Sequence, residues 1–260
     1  MKKEMVTIAA AYNDEVVLKR DLMSSPDVCC DKLSLVVERG RASATITYNS
    51  ILENNSSTYI VFAHQDVYLP AGWANKVLEY VEEIDQEVGG QWLALGCAGI
   101  SLSGKIVGHV WSSSYNQVIG GAFQKPVEVQ SLDELVIIVN TQHGYTFDDS
   151  LSGYHLYGTD IVQHGIQSRL KSFVIDAPVI HNDKPKPILG EDYLEAYKYM
   201  QNKWKAQLPI LTTVMPINNS TFHFHIRNWR QRLHRLINET PELYQGDPRP
   251  LSIALGFERE

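Results

Sequence analysis

The sequence predicts an α/β fold with a mostly parallel, doubly wound sheet, a mixed strand section and C-terminal helices. In the first 100 residues, short apolar runs alternate with stretches of helical periodicity. Residues 104–139, by contrast, contain strand patterns with no helix between them. The 260 residues are 44% hydrophobic and 20% charged, which is enough apolar material for a sizeable core. We expect one large domain over residues 1–215 and a basic helical extension over 216–260.

The individual elements follow in chain order. Unbroken apolar runs predict four buried strands, at residues 5–12, 33–38, 58–63 and 92–99. Helical spacing predicts three intervening helices, at residues 14–24, 42–53 and 72–84. This alternation implies parallel pairing through right-handed crossovers. Later elements are strands at 104–112, 127–139 and 170–175, a long Ser/Gly/Asn-rich loop at 112–124, and helices that begin near 159, 191 and 221.

The charge balance limits the classes of partner. With 23 Lys+Arg against 30 Asp+Glu, the formal net charge is −7, which argues against a nucleic-acid binder held by bulk charge. A phosphorylated ligand would therefore need positive charge supplied locally. No stretch approaches the ~18–20 apolar residues of a membrane span, and the apolar run at 6–11 is too short for a secretory signal. Three cysteines without a Cys-x-x-Cys pair suit a reducing compartment, so we expect a cytoplasmic protein.

Three common motifs of α/β enzymes are missing from the sequence. There is no Gly-x-Gly-x-x-Gly after the first strand, no Gly-x4-Gly-Lys-Ser/Thr and no Gly-x-Ser-x-Gly. Their absence disfavours a dinucleotide-binding Rossmann enzyme, a P-loop NTPase and an α/β-hydrolase. The ligand chemistry of the sheet must come from other residues.

The third predicted strand runs directly into His64-Gln65-Asp66. Ligands of open α/β sheets bind outside the carboxyl ends of the strands. A carboxylate at that edge can hold a divalent cation, which in turn clamps a diphosphate. The alternative is that Asp66 caps the turn or helix near residues 69–72, and the spacing leaves both interpretations open.

Motifs on both sides of this strand extend the pattern. The first strand ends in Tyr12-Asn13, a helix carries Tyr48-Asn49-Ser50-Ile51, and the acidic segment is followed by Leu69-Pro70-Ala71-Gly72-Trp73. Together these motifs resemble the nucleotide-binding half of GT-A glycosyltransferases of the family 2-like kind, in a bacterial subgroup with His-Gln-Asp in place of Asp-x-Asp. The resemblance implies Mn²⁺ or Mg²⁺ on Asp66 and donor contacts from Tyr12, Asn49, His64 and Gln65. An imidazole at position 64 supplies no negative charge and suits softer metals than Mg²⁺.

The segment from Phe147 to Asp160 is similar to the acceptor-side segment of inverting enzymes in that family. The resemblance implies that Asp160 removes a proton from the acceptor hydroxyl, with Asp149 as the alternative base. Thr159-Asp160 stands where the family typically has Glu-Asp. The structural alternative is that Thr159 caps a helix and Asp160 favours the positive end of its dipole.

Residues 173–181 form an apolar strand pattern that ends in a histidine. By resemblance His181 is a further metal ligand, whereas a lone histidine after an apolar strand is more often structural. Lys184 lies on the Pro-stiffened segment 182–187, which either closes over the diphosphate or is a solvated linker. By resemblance Glu38 contacts the nucleobase or ribose of the donor, and Asp133 faces the donor sugar or the acceptor. Their alternatives are a surface ion pair with Arg39 or Arg41 and a turn cap, respectively.

Residues 222–237 form the most basic segment, with four arginines and no acid. Phe222, Ile226, Trp229, Leu233 and Leu236 fall at helical spacing. Such a helix can lie on an anionic membrane surface or approach a lipid-linked acceptor. The sequence favours the alternative, in which the apolar stripe packs on the parent domain.

These observations lead to one principal hypothesis and two alternatives. The principal hypothesis is a metal-dependent glycosyltransferase that moves a hexosyl or hexosaminyl group from a UDP- or GDP-linked sugar to a hydroxyl acceptor, by an inverting displacement, in bacterial glycan synthesis. The first alternative is a GT-A-like binding protein without turnover, because the usual first acid of the metal motif is missing. The second, weaker alternative is a nucleotidyltransferase, although residues 9–15 lack the expected Gly-rich basic loop.

Overall fold

Twelve β-strands form a continuous, curled sheet with helices packed against it in the computed structural model of the protein. The structure describes residues 5–30, 32–183, 188–237 and 246–259, with the backbone alone for 233–237. The strands are β1 Val6–Tyr12, β2 Ser34–Arg39, β3 Tyr59–Ala63, β4 Val67–Tyr68, β5 Trp92–Gly96, β6 Ala98–Ser101, β7 Ile106–Ser112, β8 Gln117–Gly120, β9 Val127–Leu132, β10 Val136–Asn140, β11 Lys171–Val174 and β12 Val179–His181. The helices are α1 Glu15–Arg20, α2 Pro26–Cys29, α3 Ala44–Glu53, α4 Trp73–Val88, α5 Tyr157–Gln167, α6 Glu191–Lys203, α7 Phe222–Ile237 and α8 Pro248–Ala254.

The central strands are apolar on both faces because each face covers a separate hydrophobic core. In β3, Phe62 belongs to the core that also holds Tyr48 of α3 and Tyr157 of α5. The preceding residue, Val61, belongs to the second core, which holds Val77 of α4. Burial on alternate sides explains why β3 has an unbroken apolar sequence instead of a polar alternation. The predicted doubly wound arrangement is confirmed.

The predicted mixed section is also confirmed, and it lies inside the sheet. The strand order is β2-β1-β3-β10-β5-β11-β9-β6-β7-β12-β4, with β8 on β7. Strands β1, β2 and β3 pair in parallel, whereas β10 runs antiparallel between β3 and β5. The amide of His64 donates to the carbonyl of Leu135 (2.9 Å), which continues the β3–β10 pairing past the strand end. The insertion of β10 therefore places residues 133–135 beside the His-Gln-Asp segment.

Several sequence predictions differ in detail from the structure, among them the strand expected at 127–139, which is two strands, β9 and β10. Two further differences depend on strand pairing. The expected strand at 92–99 is divided at Cys97, because β5 pairs with β10 and β11 while β6 pairs with β7 and β9. The expected loop at 112–124 contains β8, which pairs antiparallel with β7. Local composition does not reveal either feature, since both depend on which strand lies alongside.

Helix α7 turns two residues of its predicted apolar stripe outward, and the side chains of Leu233 and Leu236 lie outside the described residues. Phe224 is buried beside Tyr193 of α6, and Asn228 exchanges two hydrogen bonds with the backbone of Leu189. Phe222 and Trp229, on the opposite side, are 64% and 62% exposed. The expectation that these two side chains pack on the domain is therefore wrong. Within the described residues, no helix is both long enough and apolar enough to cross a membrane.

The end of the chain packs beside the His-Gln-Asp segment. The carboxylate of Glu258, after α8, accepts hydrogen bonds from the Tyr68 hydroxyl (3.0 Å) and the Ala71 amide (2.6 Å). Glu258 is only 7% exposed, and Arg249 of α8 lies 3.6 Å from the same carboxylate. These contacts fix α8 against β4. The division between residues 215 and 216 stays a prediction.

Candidate active site

Three side chains that are distant in sequence meet at the end of β3. His64 and Asp66 follow β3 directly, and His181 ends β12, which pairs antiparallel with β4 so that His181 lies opposite Val67. One potential ligand atom from each of the three lies within 4.8 Å of the others. Oδ1 of Asp66 is 3.4 Å from Nε2 of His181 and 4.0 Å from Nδ1 of His64. We call these three residues the His-Asp-His cluster.

The cluster is strongly polarised. Burial alone would raise the pKa of Asp66, but the charges of His181 and His64 outweigh it and hold that pKa well below its usual range. For His181, burial opposes protonation, yet the adjacent Asp66 carboxylate raises its pKa to about 9. The metal-free cluster therefore holds a carboxylate against an imidazolium. A divalent cation would take the place of that proton.

The ligand set of the cluster fits a divalent metal ion. It offers one carboxylate oxygen and two imidazole nitrogens, a set that suits Mn²⁺ better than Mg²⁺, which prefers oxygen ligands. The Tyr157 hydroxyl donates to the carbonyl of Glu134 (3.2 Å), so it accepts from Nε2 of His64 (3.2 Å). This contact places a proton on Nε2, so a metal ion would be bound by Nδ1, the nitrogen that faces Asp66.

Gln65, predicted as a donor contact, joins two strand ends. Its Oε1 accepts from the amides of Asn13 (2.9 Å) and Asp14 (3.0 Å), and its Nε2 donates to Oδ1 of Asn13 (2.7 Å). The segment after β1 is thereby tied to the segment after β3. On the other side, the amide of Asn182 donates to the carbonyl of Asp66 (2.8 Å). Hydrogen bonds to the segment after β1 and to Asn182 after β12 thus hold the cluster in place.

The other predicted donor residues lie at several points around this edge. Tyr12 ends β1 and is partly buried, and Glu38 near the end of β2 binds Arg41 (3.0 Å) and Ser50 (3.1 Å). Asn49 of α3 exchanges two hydrogen bonds with the backbone of Phe147, so its amide braces the 147–151 segment.

Asp133 and Lys184 complete the predicted donor set. Asp133 accepts from the Thr213 hydroxyl (2.6 Å), and its charge helps to raise the pKa of His181. Lys184 lies outside the described residues. The roles of all these residues in donor binding stay predictions.

Comparison with known proteins identifies the fold. No protein-family model and no curated protein matches the sequence. The structure is similar to that of GalNAc-T7 with UDP, GalNAc and Mn²⁺, at a TM-score of 0.51 and 8% identity, over 78% of this chain and 49% of that one. The chain has a GT-A fold. It therefore spans about half the length of that structure.

Two further solved structures are similar at lower scores. S. aureus TarS matches at a TM-score of 0.49 and 12% identity, over 77% of this chain and 65% of that one. The mannosyltransferase from Pyrobaculum calidifontis in complex with GDP-Man and Mn²⁺ matches at 0.46 and 10% identity, over 97% of this chain and 79% of that one.

In this GT-A fold, Asp160 lies in the first turn of α5, as predicted, but its oxygens are already engaged. It is 2% exposed, with Oδ1 accepting from Nε1 of Trp204 (2.8 Å) and Oδ2 from Nζ of Lys203 (2.9 Å). Burial raises its pKa, although Lys203 and Trp204 favour the charged form. These contacts join the start of α5 to the end of α6. Asp160 thereby has a clear structural role.

The aspartates before α5 differ from Asp160 in exposure. Asp149 is exposed and accepts from Nδ2 of Asn49 (2.7 Å). Asp148 binds Nζ of Lys203 and the Tyr199 hydroxyl, both at 2.6 Å. Burial works against ionisation of Asp148, but these partners lower its pKa to about 2. Asp148 and Asp160 thus share Lys203, and Asp149 stands apart from that ion pair.

Glu134 is an acidic residue at this site that sequence reasoning missed. It precedes β10, its carbonyl accepts from Tyr157, and Oε1 of its carboxylate accepts from the Gly158 amide (3.3 Å). Burial, reinforced by the charge of Asp133, raises the pKa of Glu134 to about 8. The available signal was an acidic pair, Asp133-Glu134, immediately before an apolar run. Only the antiparallel insertion of β10 brings that pair to the carboxyl end of β3.

Proposed function

We propose that this protein is a metal-dependent glycosyltransferase that moves a sugar from a nucleotide-diphosphate donor to a hydroxyl acceptor. The observation that supports the proposal is the His-Asp-His cluster at the carboxyl end of β3 in a GT-A fold. A doubly wound sheet binds its ligands at that edge. The structure of GalNAc-T7, which shares the fold, contains UDP and Mn²⁺.

Asp66, His181 and His64 would hold the cation, and Mn²⁺ fits this ligand set better than Mg²⁺. When bound, the cation offsets the negative charge of a nucleoside diphosphate. Local compensation of this kind is needed because the chain carries a net charge of −7.

The donor we propose is a UDP- or GDP-linked hexose or hexosamine. Tyr12 and Glu38 lie near the ends of neighbouring strands, where a nucleoside would be contacted, and Lys184 follows the cluster in the chain. Asp133 lies near enough to His181 to influence its pKa, which suits a contact with the donor sugar. Gln65 and Asn49 support the site through their hydrogen bonds to the segments after β1 and before α5.

We propose that transfer is an inverting displacement, in which one carboxylate accepts the proton of the acceptor hydroxyl. The resemblance assigns this task to Asp160, with Asp149 as the alternative. The structure gives Asp160 two competing partners, Lys203 and Trp204.

The acceptor we propose is a lipid-linked glycan of bacterial glycan synthesis, reached from a membrane surface by α7. Phe222 and Trp229 are exposed, as are the neighbouring Arg230 and Arg232. Residues 222–237 contain no acid. Exposed aromatic rings beside arginines are suited to the interface of an anionic membrane.

The 260-residue chain should be incubated with a panel of UDP- and GDP-sugars, Mn²⁺ and hydroxyl acceptors, with release of nucleoside diphosphate as the readout. Release that requires both acceptor and Mn²⁺ would support the glycosyltransferase. Mn²⁺-dependent donor binding by calorimetry without any release would favour the non-catalytic binding protein. Pyrophosphate release from a nucleoside triphosphate and a sugar phosphate would instead indicate a nucleotidyltransferase.

A further inference from the structure

We infer that Glu134, and not Asp160, accepts the proton of the acceptor hydroxyl. This inference rests on the proposed glycosyltransferase function and names the residue that performs one of its steps. It follows from the link between Glu134 and the His-Asp-His cluster and from the ion pair that engages Asp160.

Glu134 is linked to the cluster through both the backbone and a side chain. The His64 amide binds the carbonyl of Leu135, the residue after Glu134 (2.9 Å). The Tyr157 hydroxyl contacts both the Glu134 carbonyl and Nε2 of His64, each at 3.2 Å. Glu134 is therefore next to the residues that would hold the metal, on the side where β10 meets α5.

The carboxylate of Glu134 lies at the start of α5, where Gly158 makes room for it. Its Oε1 accepts from the Gly158 amide (3.3 Å), and the residue is only partly buried. A Cβ at position 158 would lie 2.6 Å from the Leu132 carbonyl oxygen and 3.3 Å from Oε1 of Glu134. Leu156, just before, has a φ of +65°, a left-handed conformation rare for leucine. The turn before α5 is thus tightly packed beside this carboxylate.

The alternative carboxylates are less suited to the task. Asp160 is buried and paired with Lys203, whose fixed positive charge reduces its tendency to take a proton. Asp149 is exposed to water. Glu134 is only partly buried, and no ion pair engages its carboxylate within the described residues. Because burial raises its pKa to about 8, the ionised form that accepts a proton increases as the pH rises towards that value.

The step balances without a further reactant. The acceptor oxygen forms a bond to the anomeric carbon of the donor sugar while its proton passes to the Glu134 carboxylate. The bond from that carbon to the diphosphate oxygen breaks, and its electron pair leaves with the nucleoside diphosphate. Glu134 then returns the proton to solvent.

The test compares Glu134→Gln with Asp160→Asn in the 260-residue chain with Mn²⁺. Thermal unfolding checks that each variant is folded, and titration with nucleoside diphosphate checks the donor site. We expect Glu134→Gln to lower kcat by about 100-fold or more while the Kd for nucleoside diphosphate changes less than about threefold. The Asp160→Asn variant, if thermal unfolding shows that it is folded, should have a kcat less than about tenfold below that of the wild type.

Three outcomes would decide the matter. Near-normal kcat in Glu134→Gln, with an active wild type, would overturn the assignment and leave the proposed function intact. Loss of transfer in a folded Asp160→Asn that still binds nucleoside diphosphate would return the role to Asp160. A wild type that releases no nucleoside diphosphate with any acceptor would overturn the proposed function itself, and this inference with it.

Discussion

His181 Nε2 lies 3.4 Å from Asp66 Oδ1, across the antiparallel pairing of β12 with β4. This contact joins the segment after β3 to the end of β12. Each residue alone has an ordinary structural interpretation. Together with His64, they form a cluster of three potential metal ligands.

Asp66→Asn should weaken Mn²⁺ binding by at least about tenfold, because it replaces the anionic oxygen ligand of the cluster with a neutral amide. Titration calorimetry on the 260-residue chain measures the effect. Asp176→Asn is a matched control, since Asp176 binds another histidine, His109, at 2.7 Å. Equal Mn²⁺ affinity for Asp66→Asn and the wild type would contradict the metal assignment.

Lys203→Met should lower the free energy of unfolding by about 3–5 kcal/mol, because it leaves Asp160 buried without its cation. The exposed Lys198 on the same helix offers a control, and Lys198→Met should change stability by less than about 0.5 kcal/mol. Urea unfolding at neutral pH compares the two. Similar midpoints for both variants would show that the Lys203–Asp160 pair does not join α5 to α6 as described.

Glu134→Gln should stabilise the metal-free protein more at pH 8 than at pH 5. The pKa of Glu134 is about 8 when folded against 4.5 as an ordinary value, so the folded state binds more protons between these limits. The free energy of unfolding of the wild type therefore falls by about 2–4 kcal/mol as the pH rises from 5 to 8. The Glu134→Gln variant lacks this fall. The Glu134→Gln variant keeps the neighbouring Asp133, Tyr157 and Tyr193, so its comparison with the wild type isolates Glu134.

Urea unfolding of both proteins at pH 5 and pH 8, in chelator, measures this difference. If Glu134 served only as a cap for α5, the glutamine would destabilise the protein at both pH values. That result would remove the physical basis for a raised pKa at this position.

Arg230→Glu should weaken binding to vesicles of phosphatidylcholine with phosphatidylglycerol by about tenfold, because each basic residue near an anionic surface contributes about 1 kcal/mol. Trp229→Ser should weaken binding further, since it removes an exposed ring. Lys105→Glu, an identical charge change at an exposed site outside α7, is the control in vesicle co-sedimentation. Equal loss in the control, or no binding by the wild type, would contradict the membrane proposal.

Much of the fold could be predicted from the sequence because its signals are local. Apolar runs and helical spacing located β1, β3, α4 and α6 to within a few residues. The short strand β4 was missed, since two residues carry no measurable periodicity, whereas β12 lies at the end of the apolar pattern at 173–181. The pairing of β12 with β4 nevertheless places His181 beside Asp66.

The sequence by itself determined the α/β class, the position of Asp66 after a buried strand, and the net negative charge of the chain, which a phosphorylated ligand would have to overcome. Only the tertiary structure decided which carboxylates are accessible and which are engaged. Lys203 binds the Asp160 carboxylate, and the pairing of β10 with β3 places Glu134 at the end of β3. Trp229 of α7 is exposed to solvent. The physical reason is that periodicity specifies which side of an element is apolar, whereas long-range pairing specifies what lies against it.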